Sequence, residues 1–206
     1  MNNELIQRCF DVVLETREEG DNGIIFGQPI VFNSRANLGC FDEIIEAGAL
    51  DSTDLSDVRL CLNHDTSYVY ARSRRNNPNS TMRLMPNDAG LGIEAELALA
   101  ESPKARDYYS AITRGDIDKM SFMFSVGEDR WEDLDSDHPT RYILSISSVV
   151  EVSAVTFPAY DSTEIYARSK EALENARQTL ENEKQRREQS LESDLELEKA
   201  KTLNLI

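Results

Sequence analysis

The chain contains two histidines, His64 and His138, so any mechanism with an imidazole base must use one of them. His64 lies in Cys61-Leu62-Asn63-His64-Asp65. It closes a short alternating segment, Val58 to Leu62, that reads as a half-buried strand. A strand end is a rigid place from which to hold an imidazole. Taken alone, a histidine of this kind is more often a structural hydrogen-bonding group than a base. His138 falls in Leu134-Asp135-Ser136-Asp137-His138-Pro139, an acidic, turn-forming stretch that belongs at the surface. No second histidine stands at ligand spacing from His64, and Cys61 is too little to complete a zinc site. Metal-dependent hydrolysis is therefore disfavoured, and no metal or cofactor is expected.

Two further residues carry chemical interest. Ser121 sits in the apolar run Lys119-Met120-Ser121-Phe122-Met123-Phe124, where a lone serine is unremarkable by itself. Glu151 interrupts Ser148-Val149-Val150-Glu151-Val152-Ser153-Ala154-Val155, which otherwise reads as buried. A carboxylate there is costly unless paired or hydrogen-bonded. A catalytic histidine would suit it, and so would an arginine or the backbone.

The elements that must position these groups are mainly strands. Gly23 to Phe32 reads as a strand interrupted by Gly27 and Pro29. Thr81 to Met85 and Leu91 to Leu99 flank Pro86-Asn87-Asp88-Ala89-Gly90, a hairpin with a longer loop. Lys119 to Val126, Tyr142 to Ile146 and Ser148 to Phe157 are further strands. One helix is clear: Ser102 caps it, Pro103 suits its first turn, its body is Lys104 to Arg114, and Gly115 closes it. A shorter helix is expected over Glu43 to Ala47. The sum is an α+β domain, a β-rich, barrel-like sheet with a few surrounding helices, spanning residues 1–168.

After Arg168 the composition changes to Glu, Arg, Lys, Gln and Leu, without Gly or Pro. Residues 169–206 read as a helical tail, coiled-coil-forming or disordered, with Ser169 as its N-cap. Leu173, Leu180, Leu191 and Leu195 fall within roughly 60° on a helical wheel. Lys184 and Arg187 break any regular heptad. Such a helix is too polar to bury itself alone and needs a partner or frays.

The bulk composition sets bounds. The 206 residues suffice for one cored domain with an appendage. A net charge of -16 argues against a broad nucleic-acid-binding face. No apolar stretch is long enough to span a membrane. The start, MNNELIQRCF, lacks the pattern of a secretory signal, so a cytosolic setting is expected. Cys9, Cys40 and Cys61 are odd in number and without CxxC spacing, and read as small buried hydrophobes.

Taken in order, several segments resemble one family. They are Gly27 with Phe32; Leu38-Gly39-Cys40-Phe41-Asp42-Glu43; Glu46-Ala47-Gly48-Ala49-Leu50; Asn63-His64-Asp65; and Asn87-Asp88-Ala89-Gly90-Leu91. Arg114-Gly115-Asp116-Ile117 then leads into Met120-Ser121-Phe122, and Glu151-Val152-Ser153 precedes Val155-Thr156-Phe157-Pro158-Ala159-Tyr160. Over about residues 23 to 168 the chain resembles the prohead serine proteases of tailed bacteriophages, which are distantly similar to the herpesvirus assembly proteases. Single motifs are weak, but their joint order and spacing are specific.

The resemblance implies His64 as base, Ser121 as nucleophile and Glu151 as third member, standing where the herpesvirus enzymes carry a second histidine. It implies a serine endopeptidase without cofactors that cleaves scaffold and major capsid proteins, and itself, in the assembling prohead within the host cytoplasm. Neither nucleic acid nor membrane is an expected partner, and a homo-oligomer is compatible with the family. The turn Pro158-Ala159-Tyr160 is a candidate source of oxyanion donors. Where the family commonly has Gly after Ser-Phe, this chain has Met123, which reshapes the cleft without removing a reacting group. The alternative is a non-catalytic assembly or scaffold protein that keeps the protease fold. A hydrogen-bond-length approach of Ser121 to His64 separates the two.

Overall fold

The structure is a computed structural model that describes residues 5–10, 14–157 and 163–203, with the side chains at 10, 163–167 and 196–203 left aside. The strands are β1 (Leu5–Phe10), β2 (Glu15–Glu19), β3 (Asn22–Val31), β4 (Arg35–Asn37), β5 (Asp42–Ile45), β6 (Val58–Leu62), β7 (Ala71–Ser73), β8 (Met82–Asn87), β9 (Gly90–Ala98), β10 (Lys119–Glu132) and β11 (Thr140–Val155). Two helices, α1 (Pro103–Thr113) and α2 (Thr163–Leu203), complete the described residues. The α+β expectation holds. The strands form two separate hydrogen-bonded sheets, and no closed barrel occurs among the described residues.

The larger sheet runs β1-β10-β11-β5-β4, and β6 joins β11 while carrying β7 on its other side. The smaller sheet runs β2-β3-β9-β8. Apolar side chains of both sheets meet in one core. Leu60, Phe122, Phe124, Val152 and Ala154 come from the larger sheet, and Ile25, Ile93, Ala95 and Leu97 from the smaller. Glycine at position 27 has a packing cause: a Cβ there would run into the Met120 sulfur. The ladder between β3 and β9 slips between Gly27 and Ile30, where Pro29 withholds an N–H.

β11 organises the site. Its first residues pair in parallel with β5, Thr140 opposite Asp42, and its last pair in parallel with β6, Glu151 opposite Arg59 and Ser153 opposite Cys61. Along its other edge it runs antiparallel to β10, with Ser121 opposite Ser153. The sheet thus lines up Cys61, Ser153 and Ser121 as neighbours on three strands.

The helix α1 forms as read: the Ser102 side chain accepts from the Ala105 N–H, Pro103 opens the first turn, and Ala105, Tyr108, Tyr109 and Ile112 are buried. Four local readings need correction. Glu43 to Ala47 is not a helix; Asp42–Ile45 is strand β5 with an alternating burial pattern. Glu43 there enters a buried ion pair with Arg8 and Arg141, a tertiary interaction that outweighs local preference. The hairpin turn is shorter than expected, since β8 continues to Asn87 and β9 resumes at Gly90, whose φ of 140° suits glycine. Tyr142 to Ile146 and Ser148 to Phe157 fuse into the single strand β11. The tail helix begins at Thr163, not Ser169, so Arg168 falls inside it and Ser169 is a buried helical residue.

Of the leucine stripe, Leu173 is buried against Leu38 and Phe41. Leu191 and Leu195 are 70% and 57% exposed. Arg177 fixes the helix to the body by donating to the carbonyls of Leu134 and Ser136. No described helix is long and apolar enough to cross a membrane.

Candidate active site

Leu62 ends β6, and the chain then turns through two left-handed residues, Asn63 (φ 50°) and His64 (φ 61°). Asparagine tolerates this region because its short side chain hydrogen-bonds nearby backbone. Asn63 does so: its Oδ1 accepts from the Thr156 N–H at 2.9 Å, and its own N–H donates to the Ala154 carbonyl. Asp65 closes the turn by accepting from the Ser67 N–H. A histidine at positive φ is uncommon, and backbone outliers of this kind cluster at functional sites. Here the turn swings the imidazole over the ends of β10 and β11.

The imidazole meets both other residues singled out above. Nε2 lies 2.7 Å from the Ser121 Oγ, and Nδ1 lies 2.7 Å from the Glu151 Oε2. Three residues far apart in sequence form one hydrogen-bonded row. Glu151 is buried, and both of its oxygens are engaged, Oε2 by His64 and Oε1 by the Ser153 hydroxyl. A buried carboxylate so satisfied is tolerable. As an acceptor it fixes the tautomer: Nδ1–H donates to Glu151, which leaves Nε2 to accept from the serine.

Ser153 was not singled out in the sequence beyond its motif, yet it joins the parts. Its hydroxyl accepts from the His64 backbone N–H at 3.0 Å and donates to Glu151. The signal lies in the spacing of Glu151-Val152-Ser153, which puts residues 151 and 153 on one face of a strand. Arg8 was also missed: its carbonyl accepts from the Ser121 hydroxyl at 2.8 Å.

The surroundings decide which group is suited to attack. Burial, reinforced by the nearby Glu151 charge, pushes the Cys61 thiol up to about 12, so this cysteine carries no useful thiolate. Burial likewise raises the Tyr108 hydroxyl, which donates to the Cys61 carbonyl at 3.1 Å. Ser121 is the hydroxyl in hydrogen-bond contact with the imidazole. His138 lies apart from the site, exposed, with Nε2 2.9 Å from the Asp42 Oδ1. The turn Pro158-Ala159-Tyr160 lies outside the described residues.

Comparison with known proteins adds one finding. No match was found among curated proteins or among solved structures. The profile of the caudovirus prohead serine protease family, in contrast, matches residues 11–179, a span that includes His64, Ser121, Glu151 and the base of α2. That is well over half of the chain, and the chain therefore belongs to the caudovirus prohead serine proteases.

Proposed function

We propose that the protein is the endopeptidase of phage head maturation, acting inside the assembling prohead on scaffold and major capsid proteins, with Ser121 as nucleophile, His64 as base and Glu151 as the group that orients the base. The observation that carries this reading is the unbroken row of hydrogen bonds from Glu151 through His64 to Ser121. A non-catalytic protein has no need to hold a strained histidine between a buried carboxylate and a buried serine.

The mechanism follows from the contacts. A serine hydroxyl is a weak nucleophile at neutral pH, and Nε2 takes its proton as Oγ attacks the peptide carbonyl. Glu151 accepts from Nδ1–H, holds the ring orientation and stabilises the imidazolium that forms. The imidazolium then protonates the leaving amine. Water attacks the acyl-enzyme in the same way, with Nε2 again as base. The backbone strain at His64 and the Ser153 bridge keep this geometry fixed before substrate arrives.

Helix α2 belongs to the same reading as the handle by which scaffold carries the protease into the prohead, with the exposed Leu191 and Leu195 as its contact. The enzyme also trims itself during maturation. Co-expression with capsid and scaffold proteins, followed by mass spectrometry of released peptides, tests the assignment. Ser121→Ala is expected to abolish the cuts while leaving the fold intact. Cleavage by this variant at the wild-type rate would overturn the reading.

A further inference from the structure

Charge is unevenly spread along the chain. Against a net charge of -16, the stretch from Asp54 to Arg83 holds five arginines and three aspartates, and no other Lys, Arg, Asp or Glu. The same stretch carries His64. A basic segment set in an acidic protein points to a partner of negative charge. Two of its arginines stand on the sheet that bears the site. Arg59 pairs across the ladders with Glu151 on β11 and with Arg72 on β7. Residues paired in this way share a face of the sheet, and Arg59 lies two residues before Cys61. Both guanidinium groups therefore project from the face that carries Glu151, Ser153 and Ser121.

These two arginines share one carboxylate. Arg72 donates to Asp57 from Nε and Nη2, each at 2.6 Å, and Arg59 donates from Nη2 at 2.8 Å. The hydrogen bonds from Arg72 hold the Asp57 carboxyl below its ordinary value and keep it an anion. Two cations on one anion leave a positive charge in excess. Like charges directly opposite on neighbouring strands are destabilising, so the pair is kept at a cost to the fold. The side chains of Arg59 and Arg72 are 34% and 33% exposed. Strands lie about 4.8 Å apart and rise about 3.3 Å per residue, which puts the Cα of Arg59 about 12 Å from that of Ser121. An extended peptide covers that span in roughly three or four residues.

Resting on the serine-protease reading, we propose that Arg59 and Arg72 form a subsite for a carboxylate side chain of the substrate, Asp or Glu, roughly three or four residues from the bond that is cut. A guanidinium pairs with a carboxylate through two parallel hydrogen bonds. Arg59 gives Asp57 one of its N–H donors and can turn others to a second carboxylate. A partly exposed pair of this kind contributes little raw affinity. Its use is to choose among substrates and to steer acidic segments toward the cleft.

The full-length chain, incubated with a proteome-derived peptide mixture, tests this by mass spectrometry of the cut ends. Asp and Glu are expected to be enriched at one fixed position, roughly three or four residues from the cut. One cut peptide is then made in two forms, with the acidic residue or with its amide. The ratio of kcat/KM between them is expected to be about fivefold for wild type and below about twofold for Arg59→Gln/Arg72→Gln. Added salt should shrink the wild-type ratio. Cuts without acidic enrichment, or a ratio that survives in the double variant, overturn the subsite and leave the protease reading intact. Cuts that persist in Ser121→Ala, or no cuts by wild type although circular dichroism shows it folded, overturn the protease reading and the subsite with it. Nucleic acid that purifies with wild type and is lost from the double variant also overturns the proposal, since it assigns the patch to another class of partner. If the double variant does not fold, Arg59→Gln, which keeps both bonds from Arg72 to Asp57, decides alone by whether the ratio falls.

Discussion

The backbone N–H of His64 donates to the hydroxyl of Ser153 at 3.0 Å, which ties the turn bearing the imidazole to the strand bearing Glu151. The Ser153 hydroxyl is bonded to the His64 N–H and to Glu151, not to the Ser121 Oγ; it acts by positioning. Ser153→Ala leaves a backbone N–H and a buried carboxylate oxygen without their partner, at a cost of about 1–3 kcal/mol in stability. The expected kinetic effect is a fall in kcat of about tenfold, or about 1.4 kcal/mol, with KM little changed. Ser153→Thr, which keeps the hydroxyl, is expected to recover part of kcat. Steady-state kinetics on a peptide substrate check this, and an unchanged kcat for the alanine variant would contradict it.

Glu151→Gln retains the volume of the side chain but removes the charge that fixes the tautomer. In a serine–histidine–carboxylate site the corresponding loss reaches about 10⁴-fold in kcat. The same order is expected here, with the circular dichroism spectrum preserved. A variant that keeps a tenth of the wild-type rate would remove Glu151 from the mechanism.

The left-handed turn gives a third expectation. Asn63→Ala places an ordinary side chain at φ 50° and takes the acceptor away from the Thr156 N–H. The combined loss is about 2 kcal/mol, read from urea denaturation. Asn63→Gly relieves the backbone term and should cost less than Asn63→Ala. The reverse order would show that the turn is unstrained.

Glu43 makes the stability depend on acid. Burial alone would raise its carboxyl, but the charges and hydrogen bonds of Arg8 and Arg141 outweigh burial and hold it below its ordinary value of 4.5. A carboxylate whose folded pKa is depressed contributes stability that is complete above the unfolded value and is lost as pH falls through the folded one. Wild type is therefore expected to exceed Glu43→Gln by about 3–5 kcal/mol at neutral pH, because the variant leaves the buried Arg8 guanidinium without its anion, whereas Arg141 keeps Asp129. That margin should shrink once the pH drops below 4.5. Thermal melts of both proteins from neutral pH down to 3 measure it, and a margin independent of pH would refute the role of the charge.

Of the three candidate residues, His64 and Glu151 stood out in the sequence by type, whereas Ser121 was unremarkable by itself and was marked only by the family resemblance. There are two histidines, and Glu151 stands in a run that is otherwise mostly valine, alanine and serine. Helix α1 was legible because its cap, its proline and its closing glycine are local signals. Glu43 was misread because, beyond a short hairpin with β4, its strand is held by partners distant in sequence, β11 alongside and Arg8 through the ion pair. The run Leu5–Phe10 carries no strand pattern strong enough to notice, since the arginine in its middle is buried only by virtue of Glu43. The start of α2 escaped because Ser169 offers a plausible cap, whereas the structure turns its side chain inward.

Helix α2 makes its last described contact with the body where Lys184 reaches Asp135 at 3.7 Å. Beyond it every described side chain to Leu195 is exposed, and the helix continues to Leu203. At 1.5 Å per residue the stretch from Lys184 to Leu203 is a rod of about 29 Å. Whatever grips its far end holds the cutting face on a tether of set length. On the proposed role of α2 as a handle, bonds within one radius of the anchor are reachable and those outside it are spared, so distance joins sequence in the choice of bonds.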